Sequence, residues 1–118
     1  MLEQERIQSI LEILQLFNNS KKVLSKITNS YFRSRKYMGS QDRKFISNTL
    51  WNIIKHRNKI KWHLNNIDIE VTFENEIILG LFFLNEKYKG NFLEIKHLFN
   101  IKFSNIKNYS NHDLEFLN

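Results

Sequence analysis

The chain contains no cysteine and no proline, and only three of its 118 residues are glycine. Without cysteine there is no disulfide, no thiolate metal site and no thiol nucleophile, which suits a reducing compartment. Three isolated glycines, Gly39, Gly80 and Gly90, cannot build a dinucleotide-binding or phosphate-cradling loop. Long apolar runs are also lacking. The longest, Ile77 to Leu84, falls far short of the ~20 residues a membrane-spanning helix needs. The first ten residues, MLEQERIQSI, are too acidic for a signal peptide, so the expected location is the cytoplasm. The histidines His56, His63, His97 and His112 show no metal-binding spacing. Neither a cofactor nor a metal is expected, and neither is a membrane partner.

Acidic side chains are scarce where basic ones crowd. Residues 21–62 carry twelve Lys/Arg against one acid, whereas residues 1–20 and 63–118 are both net negative. Four of the five arginines lie between positions 33 and 57. A formal charge of +6 and a bias toward Asn, Ile and Lys mean little by themselves. A basic segment between acidic flanks points instead to one polyanion-binding face.

Helical periodicity dominates the rest. Residues 3–17 put Ile7, Ile10, Leu11, Ile13, Leu14 and Phe17 on one stripe. Ser20 is placed to cap a second helix that carries Val23, Leu24, Ile27, Tyr31 and Phe32 inward and runs toward Tyr37-Met38-Gly39. Ser40 is the expected N-cap of a third helix, with Gly39 allowing the bend and Asp42 at its positive end. Phe45, Ile46, Thr49, Leu50, Ile53 and Ile54 form its stripe. Asn58 should interrupt it before a short continuation with Ile60, Trp62 and Leu64. The alternating IDIEVT of residues 67–72 has no partner strand, so an extended linker is expected. Residues 73–88 read as a helix apolar on nearly every side, hence central, with Gly80 permitting close helix contact. Asn91 should cap a helix with Phe92, Ile95, Leu98 and Phe99, and Ser110 with Asp113 resembles a capping box before Leu114 and Leu117. The expected fold is all-α: one compact domain, residues 1–118, of six or seven helices.

No residue pattern supports catalysis, and Glu74 and Glu76 read as helix-start acids. At 100° per residue from Ile46, Asp42, Arg43 and Arg57 fall close to the core stripe, which favours structural pairing. Lys44, Asn48, Trp51 and Lys55 fall on the opposite face. They are either a phosphate-and-stacking row for RNA, or wet lysines around a tryptophan that covers a neighbouring helix. Arg33, Arg35 and Lys36 precede a turn with no stripe to serve, and are the stronger phosphate candidates.

The run YFRSRKYMGSQDRKFISNTLWNIIKHRNKIKW resembles the N-terminal domain of the RsmB/Nop (Fmu, Sun-like) RNA cytosine-5 methyltransferases. That domain shares its helical fold with the antitermination factor NusB. The resemblance rests on Phe32-Arg33, Arg35-Lys36-Tyr37, Gly39-Ser40-Gln41-Asp42-Arg43, the apolar repeat, Lys55 to Arg57 and Trp62. Lys55, Trp51 and Asn52 stand where the family more often has arginine, tyrosine and glycine. The resemblance implies a non-catalytic, NusB-like RNA-binding domain that docks on ribosomal RNA, through Arg33, Arg35, Lys36, Lys44, Trp51, Lys55, Arg57 and Lys59. Gly39, Ser40, Asp42 and Arg43 would form its structural motif. The family's catalytic domain uses S-adenosylmethionine and a cysteine nucleophile, and without cysteine this chain is not expected to be an enzyme by itself. Its further partner would be a methyltransferase domain or chain. The alternatives are a NusB-type protein-interaction domain and a truncated remnant of a split methyltransferase.

Overall fold

A computed structural model describes residues 1–98, and the expected capping box at Ser110–Asp113 and the expected helical residue Phe99 lie outside them. Six helices follow one another: α1 Glu3–Asn18, α2 Leu24–Arg33, α3 Ser40–Lys55, α4 Arg57–Asn66, α5 Phe73–Leu84 and α6 Phe92–Leu98. No strand occurs among the described residues. The class is all-α, as the 3.6-residue periodicity implies.

The core is built around α5. Every residue from Asn75 to Phe82 is buried, so the helix that is apolar on all sides does sit centrally, flanked by α1, α3 and α4. Gly80 lets α3 approach closely: a Cβ placed there would lie 2.6 Å from Cγ1 of Ile53. Ile10, Ile13 and Leu14 of α1 and Ile46, Leu50 and Ile53 of α3 are fully buried against it. Residues 67–72 form no strand, but they are not the extended linker expected throughout: Ile67 and Asp68 make a turn at the end of α4, with Asp68 at φ 58°. Thr72 caps α5 by accepting the Asn75 amide hydrogen at 3.1 Å.

Several helix ends differ from expectation, each for a local reason. Ser20 does not cap α2; its hydroxyl accepts the Lys22 amide in a turn, and the helix starts after Val23, whose side chain is exposed. The same helix stops at Arg33 instead of reaching Met38. Turns closed by Arg35 N–H to Phe32 and Met38 N–H to Arg35 then lead into α3, with Met38 buried as their anchor. Gly39 occupies the N-cap position of α3 and Ser40 is already helical. The break between α3 and α4 falls at His56, two residues before Asn58. In that continuation Ile60 and Leu64 are buried, whereas Trp62 is exposed. Finally, α5 ends at Leu84, because the Asn85 side chain accepts the amides of Lys87 and Tyr88 and turns the chain. Tyr88 thereby folds back, fully buried and edge-on to Phe45. The carboxamide of Asn91 accepts the Glu94 amide and begins α6 as expected.

Candidate nucleic-acid interface

The end of α2 and the start of α3 diverge around the turn at 34–39 and leave an open cleft of about 540 Å³. Arg33 and Lys36 line one wall, and Arg43 and Lys44 the other. Phe32, Asn29 and Ser47 supply the floor and polar rim. No carboxylate lines the cleft, and none of the four cations is ion-paired among the described residues. All four are exposed. The positive end of the α3 macrodipole lies at the same place, since Gly39 and Ser40 begin that helix.

Arg43 was expected to be structural, beside the core stripe. Its Nε does donate to the Met38 carbonyl at 3.0 Å, holding the turn. Yet the side chain is exposed and lines the cleft. A long side chain can root near the core and still present its charge to water, which azimuth alone does not reveal.

Another motif residue, Asp42, serves the fold. It is buried and accepts a 2.7 Å hydrogen bond from Arg6 of α1. That guanidinium holds the Asp42 carboxyl below its usual range, with burial opposing.

Arg35 and Arg57 do not join the cleft. Two positions from Arg33, Arg35 turns to the other side of the turn, its guanidinium 3.6 Å from the Tyr31 ring centre and hydrogen-bonded to Ser34. It faces a groove shared with Lys22 and Lys26. Arg57 is taken up by an ion pair with Glu76, with contacts of 2.7 and 3.2 Å; Glu76 is 1% exposed. Its place among the RNA-contacting residues is thus corrected: its guanidinium neutralises a buried carboxylate. Glu76, in turn, is more than a helix-start acid.

Lys44, Asn48, Trp51 and Lys55 are all exposed along the outer face of α3. Trp51 is 57% exposed. It borders a groove formed with Phe45, Asn48 and the 84–87 turn, where Glu86 also lies. Lys59 stands on α4 beside a separate pocket that also holds His63. Burial, and after it Lys59, pushes the His63 imidazole below its ordinary pKa.

Among the described residues no group of His, Asp or Glu could hold a metal ion, and no helix is long and apolar enough to cross a membrane. No family model, curated protein or solved structure matches the chain.

Proposed function

We propose that this chain is a non-catalytic RNA-binding domain of the NusB-like kind, docking on ribosomal RNA in the service of a methyltransferase domain or chain. One observation carries the reading: Arg33, Lys36, Arg43 and Lys44 share a cleft that no carboxylate lines among the described residues. Four like charges held together without counter-charge favour a polyanion, and phosphates reward such an arrangement by releasing counterions. Arginine adds bidentate hydrogen bonds to phosphate oxygens. The row from Lys44 to Lys55 continues the cationic track and places Trp51 where an unstacked base could lie on it. The resemblance of residues 31–62 to the RsmB/Nop accessory domain supplies ribosomal RNA as the polyanion.

Titrating structured ribosomal RNA at rising salt tests this. Four neutralised phosphates at about −0.7 each give a log–log slope near −3. The triple variant Arg33→Ser/Lys36→Ser/Lys44→Ser, which leaves the Arg43 tether intact, should flatten the slope by about two units. As surface changes, these should shift unfolding free energy by no more than about 0.5 kcal/mol. No binding at low salt, or an unchanged slope in the variant, rejects the proposal.

Exposure of Trp62 together with Leu16 and Val23 supports a second reading, a domain that binds another protein in the manner of NusB. Pulldown of a protein partner that the triple variant leaves intact, with no RNA retained, would favour it.

A further inference from the structure

A second pocket, more enclosed than the cleft, lies between α4 and the end of α5 and carries unpartnered polar atoms. It has a volume of about 240 Å³, just under the ~300 to 1,000 Å³ typical of drug-sized ligands. Its walls are Ile60, Leu84 and the ring of Phe83, and its rim is His56, Lys59 and Lys89, with no carboxylate among the lining residues. His63 lines it too. This histidine is 7% exposed, and neither ring nitrogen has a hydrogen-bond partner among the described residues. Buried polar atoms without partners are uncommon and call for a physical explanation. The ring is tilted 31° to Phe83 at 5.6 Å between centres, and Trp62 meets it edge-on at 5.0 Å.

We propose that this pocket receives one nucleotide, its base against Phe83 and His63 and its phosphate at Lys59 and Lys89. A planar aromatic body suits the ring-lined wall, and an anionic group suits a rim of cations without acids. A neutral imidazole carries one N–H donor and one acceptor nitrogen, matching the mixed donor and acceptor edges by which splayed bases are read. The position is continuous with the cationic track. Leu84 borders both this pocket and the Trp51 groove, and Lys44 to His56 spans about 18 Å of helix at 1.5 Å per residue. An RNA strand leaving the cleft along α3 therefore reaches the pocket. The inference rests on the RNA-binding reading above in taking the nucleotide from that strand; a free nucleoside monophosphate offers the same chemistry.

Isotope-labelled full-length protein titrated with the four nucleoside 5′-monophosphates, and separately with a single-stranded RNA hexamer, tells the sources apart. Resonances of the His63 ring and the Lys59, Phe83 and Lys89 amides should move in both titrations. The hexamer should bind at least tenfold tighter, since the cleft holds its other end. Lys59→Ser/Lys89→Ser should abolish the monophosphate shifts and weaken the hexamer about tenfold, while Arg33 and Lys44 still respond to it. His63→Phe, which keeps a ring beside Phe83, should erase any preference among the four bases. A hexamer that moves Arg33 and Lys44 but leaves the pocket silent overturns the pocket and leaves RNA binding in place. Monophosphates moving the pocket while no RNA engages the cleft would support a free-nucleotide site and sink the RNA reading. Silence throughout overturns both.

Discussion

Two side chains, Arg57 inside the basic segment and His63 just beyond it, matter for stability in opposite ways. Arg57 faces a carboxylate that is almost wholly out of water, Glu76. Truncating one member of such a pair leaves the other charge buried alone, which costs about 3–5 kcal/mol. Arg57→Ala should therefore lower the urea midpoint sharply, whereas Arg57→Met/Glu76→Met should recover most of the loss. His63 is the reverse case, a buried base whose charged form is disfavoured. Burial first, and Lys59 second, lower its pKa below 6.5, so below that pH the unfolded chain binds a proton that the folded chain refuses. Its contribution to stability is complete above pH 6.5 and is lost as the pH falls from there. Thermal melts at pH 7.5, 6.5 and 5.5 should show a declining midpoint, and His63→Phe should flatten the decline. Asp42 and Glu3 do not confuse the measurement. Their carboxyls are lowered from ordinary values of 3.8 and 4.5, so their contributions fade only in more acid solution.

Helices pack here by shape as much as by hydrophobicity, and the approach of Ile53 of α3 to Gly80 of α5 is a case in point. Adding a methyl group at Gly80 forces it onto Ile53, which is fully buried and cannot swing away. Overpacking of this kind costs roughly 1–3 kcal/mol, and replacing a mid-helix glycine returns only about 1. Gly80→Ala should thus be neutral to destabilising by about 2 kcal/mol. Ile53→Ala removes the obstructing atoms, so the double variant should be more stable than the sum of the singles, a coupling that chemical denaturation reads directly. The close contact at Gly80 was legible in the sequence because a lone glycine inside an apolar helix has few other uses. The all-α class, the central α5 and the exposed face of α3 were legible for a similar reason: each is a repeating pattern summed over many residues. Boundaries were not, since each depends on one local competition. Gly39 takes the N-cap from Ser40, whereas Asn85 ends α5 early by accepting the Lys87 and Tyr88 amides. Within the cleft, Arg33, Lys36 and Lys44 could be anticipated. Arg43 could not, because it holds the turn and faces solvent at once. Nor could the divergence of Arg35 from Arg33, which depends on where α2 stops.

Across the molecule the twelve cations of residues 21–62 are neither evenly scattered nor gathered in one place. Four share the α2–α3 cleft, while Lys22, Lys26 and Arg35 face a groove on the far side of the turn. This division separates two physical causes of RNA affinity. If net charge alone mattered, any two charge reversals would weaken binding equally, since each pair lowers the formal +6 by the same four units. If phosphates sit in the cleft, position decides, because at physiological ionic strength interactions between exposed charges are largely screened beyond about 8 Å. Arg33→Glu/Lys36→Glu should then reduce RNA affinity at least a hundredfold in moderate salt and flatten the salt dependence. Lys22→Glu/Lys26→Glu should cost only a few-fold and leave the slope near −3. Fluorescence anisotropy on one labelled RNA across a salt series compares the two directly. Equal losses would show that the chain attracts RNA by its overall charge, and the cleft would lose its claim to be the site.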